Sequence, residues 1–223
     1  MIIEKINQHD AIRYMGYGTN KPDENMQVII NDCEKKLLAV IDPRFVYKMF
    51  DINFTDEGVC VSGTSLFLKG NSIREHLQGC EKCVLYAATL SQGADREIRL
   101  LETSDMTKAM ITDCLASAAI EQVCDGVDEI IKEIAGEYNQ TWRYSPGYGD
   151  LPMDIQKDFL AVLDAQKRIG LNTTENSIMI PRKSVTAIIG LSKGEISQAK
   201  RGCLTCNLNK VCQFRKRGEH CGF

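Results

Sequence analysis

Four cysteines fall within nineteen residues near the end of the chain, in the order Cys203-x2-Cys206-x5-Cys212-x8-Cys221. Two thiols separated by two residues can grip one metal centre from a single turn, and loops of five and eight residues are long enough to bring round a third and a fourth. The residues between them, among them Asn207, Asn209, Lys210, Gln213 and Arg215, are mostly polar, which argues against cysteines that serve as small core hydrophobes. Structural zinc normally shows two closely spaced pairs, whereas one pair and two singles is more typical of iron–sulfur ligation. Four thiolates around Zn²⁺ or around an oxidised cuboidal cluster leave a formal charge of about −2, which Lys210, Arg215, Lys216 and Arg217 offset in either case. The expectation is a metal–thiolate tail holding a [4Fe-4S] cluster, with zinc as the alternative.

A second stretch with chemical potential is "TWRYSPGYGDLP", residues 141–152. Two prolines and two glycines force a sharp turn, and Gly147 and Gly149 permit positive φ or the close approach of a ligand. Arg143 and Tyr148 place a guanidinium and an aromatic ring beside that exposed backbone. Such a loop can bind a ligand, or it can be an ordinary helix connection with Tyr148 packed on the core.

The elements that must carry these groups follow from periodicity. Pro22, Asp23 and Glu24 suit a first helical turn, and Met26, Ile29, Ile30, Cys33, Leu37, Val40 and Ile41 recur at helical spacing up to Pro43. Residues 46–68 change to short β-rich runs broken by glycines, the pattern of antiparallel strands. Ser72 can cap a short helix ending near Gly79, and "CVLYAATL" reads as a buried strand. From Ser104 to about Ala135 apolar residues cover most of a helical wheel, which predicts a central helix packed on more than one side. A further helix is expected from about Met153 to Ile169, with Gly170 at its C′ position, and "SIMIP" and "SVTAIIGL" read as strands. The fold class expected is α+β, a twisted and largely antiparallel sheet flanked by helices, with a small Cys-rich metal-binding tail. Residues 1–199 form the main domain and 200–223 the tail.

Arg143-x-x-x-Gly147-Tyr148, then a helix, then "IGLNTTENSIMIPRKSVTAIIGL" resembles the C-terminal reactivation domain of cobalamin-dependent methionine synthase. The comparable stretch there carries R-x-x-x-G-Y-P-x-x-P, a helix and T-E-S-x-A-M-x-P-x-x-S-V. Thr174, Glu175, Met179, Pro181, Ser184 and Val185 keep the order and spacing of the second block, and "AIRYMGY" and "CVLYAATL" look like small stand-alone relatives. The resemblance implies a domain that binds S-adenosylmethionine and presents it to a cobalamin whose cobalt has been oxidised. Arg143 is then expected to meet the methionine carboxylate, the backbone about Gly147 to contact the ligand, and Tyr148 to line the site. Glu121, on the long helix, looks like the family's glutamate at the reactive end, so Glu121 and Tyr148 are the catalytic candidates. Glu121 shares a helical stripe with Met110, Cys114, Ser117 and Cys124, and Asp128 continues it. Gly149 stands where the family has proline, and Asp150 and Leu151 replace small residues and a cysteine. Asp150 can stabilise a sulfonium, repel a carboxylate, or point to solvent.

Composition sets the remaining bounds. A formal net charge of −3 argues against a general nucleic-acid binder. No segment approaches the roughly 20 apolar residues that span a bilayer, and the N-terminus lacks a signal-peptide core, so the chain reads as cytoplasmic. In that compartment Cys33, Cys60, Cys80, Cys83, Cys114 and Cys124, scattered among apolar residues, read as small buried hydrophobes. No Asp-x-His-x-x-Gly motif occurs, and the histidines are His9, His76 and His220, so cobalamin is expected to come from a partner. Together these features describe a stand-alone reductive activase for methionine synthase or another corrinoid protein, fed by a donor such as flavodoxin or ferredoxin. The alternative is a non-enzymatic adaptor whose zinc-stapled tail docks onto a corrinoid methyltransferase.

Overall fold

The computed structural model describes residues 2–18, 20–196, 210, 211 and 216. In chain order the elements are α1 (Gln8–Tyr14), α2 (Glu24–Val40), β1 (Arg44–Phe54), β2 (Gly58–Val61), β3 (Phe67–Lys69), α3 (Asn71–His76), β4 (Lys82–Thr89), α4 (Gln92–Glu102), α5 (Met106–Ala135), β5 (Asn139–Gln140), α6 (Gln156–Leu163), α7 (Ala165–Ile169), β6 (Asn172–Thr173), β7 (Met179–Ile180) and β8 (Ser184–Ser192). Six strands form one sheet in the order β3-β2-β1-β4-β8-β5, with every neighbouring pair antiparallel. The expected antiparallel sheet flanked by helices is the architecture found.

β4 and β8 pair over their whole length, from Lys82 opposite Leu191 to Thr89 opposite Ser184. Both are buried on both faces, which is why they read as nearly unbroken apolar runs. Alternate residues feed two cores. Val84, Tyr86, Ala88, Ala187 and Ile189 pack under α1, α2, α4 and α5, whereas Cys83, Leu85, Ala87 and Ile188 pack under α3, α6 and α7.

Helix α5 is the backbone of the first core. Asp105 caps it by accepting the Lys108 N–H at 3.1 Å, and Gly136, at φ 61°, ends it. Its buried residues run from Ala109 to Ala135 on more than one side, because α1, α2 and α4 flank it while the sheet lies beneath. At 30 residues it is still not apolar enough to cross a membrane, nor is any other helix among the described residues.

Several elements differ from the expectation. The single helix from Met153 to Ile169 is two helices, α6 and α7, because Asp164 takes a left-handed conformation at φ 54°. Lys48 of β1 stabilises that break, donating to Val162 O at 2.7 Å and to Asp164 Oδ2 at 2.9 Å. The strand expected in "SIMIP" is reduced to the two-residue β7, paired with β6. Ser72 does not cap α3; its own N–H is the group that is capped, by Asp150. Helix α4 was not anticipated, although Ala94 and Ile98, four positions apart, are its buried face.

Candidate functional site

The chain enters the Pro146–Pro152 loop along the free edge of β8. Thr141 N donates to Gly190 O at 2.9 Å, and Tyr144 and Ile188 exchange both backbone hydrogen bonds at 2.9 and 2.8 Å. Extended backbone sends successive side chains to opposite faces. Tyr144 therefore joins the core beneath α3, and Arg143 turns toward α5.

There the Arg143 guanidinium meets three carboxylates. Its Nη2 donates to Glu121 Oε2 at 2.8 Å, and its Nη1 donates to Asp125 Oδ1 at 2.8 Å and to Asp128 Oδ2 at 2.7 Å. Spacings of four and seven residues put the three acids on one stripe of α5. The Arg143 side chain is 11% exposed, and exposure of the acids rises from Asp128 at 23% to Glu121 at 44% and Asp125 at 68%. Burial lifts the Asp128 carboxyl above its ordinary range, and Arg143 offsets that only in part. Beneath the cluster lie Tyr86 of β4 and Cys124 of α5; burial raises the Tyr86 phenol and pushes the Cys124 thiol up to about 12, so both are neutral at ordinary pH.

A groove of about 480 Å³ adjoins the cluster, lined among others by Tyr14, Cys114, Ser117, Glu121, Lys183 and Ser184. Glu121 thus belongs both to the groove and to the Arg143 cluster. Tyr14 has its proton held more firmly by burial and then by the charge of Glu121. Lys183 closes the far wall, its Nζ 2.9 Å from both Asp113 Oδ1 and Ser117 Oγ.

On the other face of the sheet edge the loop is aromatic. The rings of Tyr144 and Tyr148 meet edge-on at 5.6 Å, and that of Tyr144 lies 5.4 Å from Trp142 and 4.7 Å from His76. Tyr148 is 45% exposed. Gly147, at φ 91°, lies against Met153, and Gly149, at φ 54°, lies against Ser72 and the Tyr144 hydroxyl. Asp150 resolves the choice that its charge left open: its two carboxylate oxygens accept the backbone N–H groups of Asn71 and Ser72 at 2.8 and 2.9 Å.

The structure therefore joins Arg143 to Glu121 and places Gly147 and Tyr148 on the α3 side of the same sheet edge. Asp125 was missed in the sequence, although "IEQVCDGVD" carries acids at i, i+4 and i+7; Tyr86 gave no signal inside its apolar run. Among the described residues no group of three His, Cys, Asp or Glu side chains is arranged to hold a metal ion. Cys203, Cys206, Cys212 and Cys221 lie outside the described residues. The other six cysteines are free thiols; Cys33, Cys80, Cys83 and Cys124 are buried, as their apolar neighbours implied, whereas Cys60 and Cys114 are only half-buried.

Residues 102–194, which hold α5, the loop and β8, match the family model described as vitamin B12 dependent methionine synthase, activation domain. This stretch is similar to the activation-domain family. Thirteen solved chains also match the fold. Among them is the MetH reactivation domain bound to AdoHcy, with a TM-score of 0.68 and 17% identity over 96% of this chain and 82% of that one. The described residues thus share the reactivation-domain fold. No curated protein matches the sequence.

Proposed function

We propose that this chain is a reductive activase for a corrinoid protein, most simply a cobalamin-dependent methionine synthase, and that it binds S-adenosylmethionine at the Arg143 edge. The observation that carries this reading is the convergence of Arg143 and Glu121 at 2.8 Å within the segment that matches the activation-domain family. The chemistry of the donors fits the ligand. A guanidinium fork matches an α-carboxylate, and three carboxylates around one guanidinium leave negative charge for an ammonium and a sulfonium. The groove next to Glu121 gives the rest of the ligand room.

S-adenosylmethionine would supply the methyl group, and a reductant one electron, to return the partner's oxidised cobalamin to its methylated state. The work of this chain is then to bind and orient: Arg143 fixes the amino-acid end, Glu121 faces the cationic centre, and Tyr148 offers an exposed ring at the loop tip. We assign the electron relay to a [4Fe-4S] centre on Cys203, Cys206, Cys212 and Cys221, supported by their spacing and by the cations between them. The electron would enter from a donor such as flavodoxin or ferredoxin.

Titration calorimetry with S-adenosylmethionine tests the site. Arg143→Ala is expected to weaken binding more than tenfold, because a charge-assisted contact contributes about 1.5–3 kcal/mol. Absence of binding to the unmodified protein would remove the methyl donor from this reading.

A further inference from the structure

Arg143 holds three carboxylates at nearly equal distance, so distance does not rank them; accessibility does. Glu121 and Asp125 stand in solvent on one side. Water can take over an exposed carboxylate released from an ion pair, so such a release costs little. Asp128 is the most enclosed of the three, and Tyr86, fully buried in β4, lies beneath it. The Tyr86 hydroxyl and Asp128 Oδ1 make no hydrogen bond of full geometry with any described residue, each other included, and the hydroxyl lies within electrostatic reach of both Asp128 and Cys124. Stripping a half-buried carboxylate of its cation costs more than releasing an exposed one. Asp128 therefore cannot let go of Arg143 as its neighbours can.

We propose that Asp128, backed by the Tyr86 hydroxyl, is the fixed positioning residue for Arg143, while Glu121 and Asp125 are exchangeable counter-ions that yield the guanidinium to a ligand carboxylate and then take the ligand's cationic groups. This rests on the reading that the Arg143 edge binds the amino-acid end of a ligand. The exchange gives each released carboxylate a new cation. The ligand carboxylate replaces Glu121 at Nη2 and Asp125 at the outer side of Nη1, and the freed acids face an ammonium or sulfonium. It also defines the ligand class. A simple anion meets two uncompensated negative charges, whereas a zwitterionic α-amino acid end with a further cation meets complementary groups throughout.

The titratable groups facing Asp128 are Arg143, Asp125 and Glu121, with Tyr86 and Cys124 below. The last two stay protonated across the range that matters. Protonation of Asp128 should free Arg143 to swing, so affinity falls as pH drops through the raised range of that carboxyl.

S-adenosylmethionine affinity is measured by calorimetry from pH 8 to pH 5 on the full chain and on Asp128→Asn, Tyr86→Phe and Asp125→Asn, with thermal melts as a folding control. Asp128→Asn is expected to lose at least tenfold in affinity at neutral pH and to flatten the pH profile. Asp125→Asn, which leaves Asp128 to hold Arg143, is expected to weaken binding through the lost contact with the ligand's cation but to keep the pH profile. Tyr86→Phe, which deletes one oxygen from a buried site, is expected to fold and to move the midpoint to higher pH, since it removes a donor that favours the ionised Asp128. A pH profile that Asp128→Asn leaves unchanged or that Asp125→Asn flattens, or an unmoved midpoint in Tyr86→Phe, overturns the proposal while the binding reading stands. If the unmodified chain binds no S-adenosylmethionine, both fall.

Discussion

Asp150 holds Ser72 across 78 positions of sequence: its Oδ1 accepts the Ser72 N–H at 2.9 Å while Oδ2 accepts Asn71 N–H at 2.8 Å. A carboxylate from the loop thus caps a six-residue helix that has no side-chain cap of its own. Partial burial works against the Asp150 charge, but the two N–H groups outweigh it and hold the carboxyl below its usual range. Asp150→Ala is expected to cost about 1 kcal/mol at pH 7, the usual worth of an N-terminal cap. Because the folded group binds its proton less readily than the unfolded one, its contribution is complete above about pH 4 and lost as pH falls through the folded value. Urea melts of the two proteins should therefore converge in acid. A difference that persists there would mean that Asp150 acts through loop packing instead.

Gly149 is the residue that lets this loop close. Its φ is 54°, and a Cβ would stand 2.5 Å from both the Tyr144 hydroxyl and the Ser72 side chain. Gly149→Ala is expected to destabilise the protein by about 1–3 kcal/mol, through left-handed strain together with displacement of Tyr144. Near-ultraviolet circular dichroism would register the disturbed Trp142–Tyr144–Tyr148 cluster. An unchanged denaturation midpoint would sink the prediction.

The buried thiols should be silent. Burial pushes Cys80 up to about 11 and Cys83 and Cys124 up to about 12. At pH 8 a thiol at 12 is ionised to only about one part in 10⁴, and the thiolate is the reacting form. Brief alkylation of the native protein followed by peptide mapping is expected to leave Cys33, Cys80, Cys83 and Cys124 unmodified. Rapid labelling of Cys83 would contradict its burial.

What could be read in advance was what one element decides alone. Helix α5 showed itself because neighbours on several sides demand apolar residues around most of its circumference. β4 and β8 showed themselves because both faces are buried. The break at Asp164 did not, since it depends on Lys48, 116 positions away. The cap on α3 was hidden for the same reason: Ser72 is a good local cap, and a distant carboxylate took the role. β5 and β6, at two residues each, are too short to show a pattern. In the site, the acids of α5 were visible as a stripe, but their common partner was not, because Arg143 reaches them only after β5 and the edge of β8 have turned the chain back.

The tail can be separated from the fold experimentally. Ile196, the last residue before the undescribed stretch, packs against the core beneath α3 and α6, and the cores formed by the described residues draw on nothing after it. A protein ending at Lys200 is expected to melt within about 2 °C of the full chain, the shift that roughly 0.5–1 kcal/mol produces at this size. The full chain, purified without oxygen, is expected to carry iron and sulfide, and the shortened one neither. Serine at Cys203, Cys206, Cys212 or Cys221 should each impair the centre, because a hydroxyl is a poor substitute for a soft thiolate, whereas serine at Cys60 should not. Rapid-mixing spectra with a cobalt(II) corrinoid protein then distinguish the roles: the reduced full chain should transfer an electron, drawn forward by methylation when S-adenosylmethionine is present, and the shortened chain should not. Stoichiometric zinc in a colourless preparation, or equal rates from both chains, would make the tail a structural staple and the protein an adaptor.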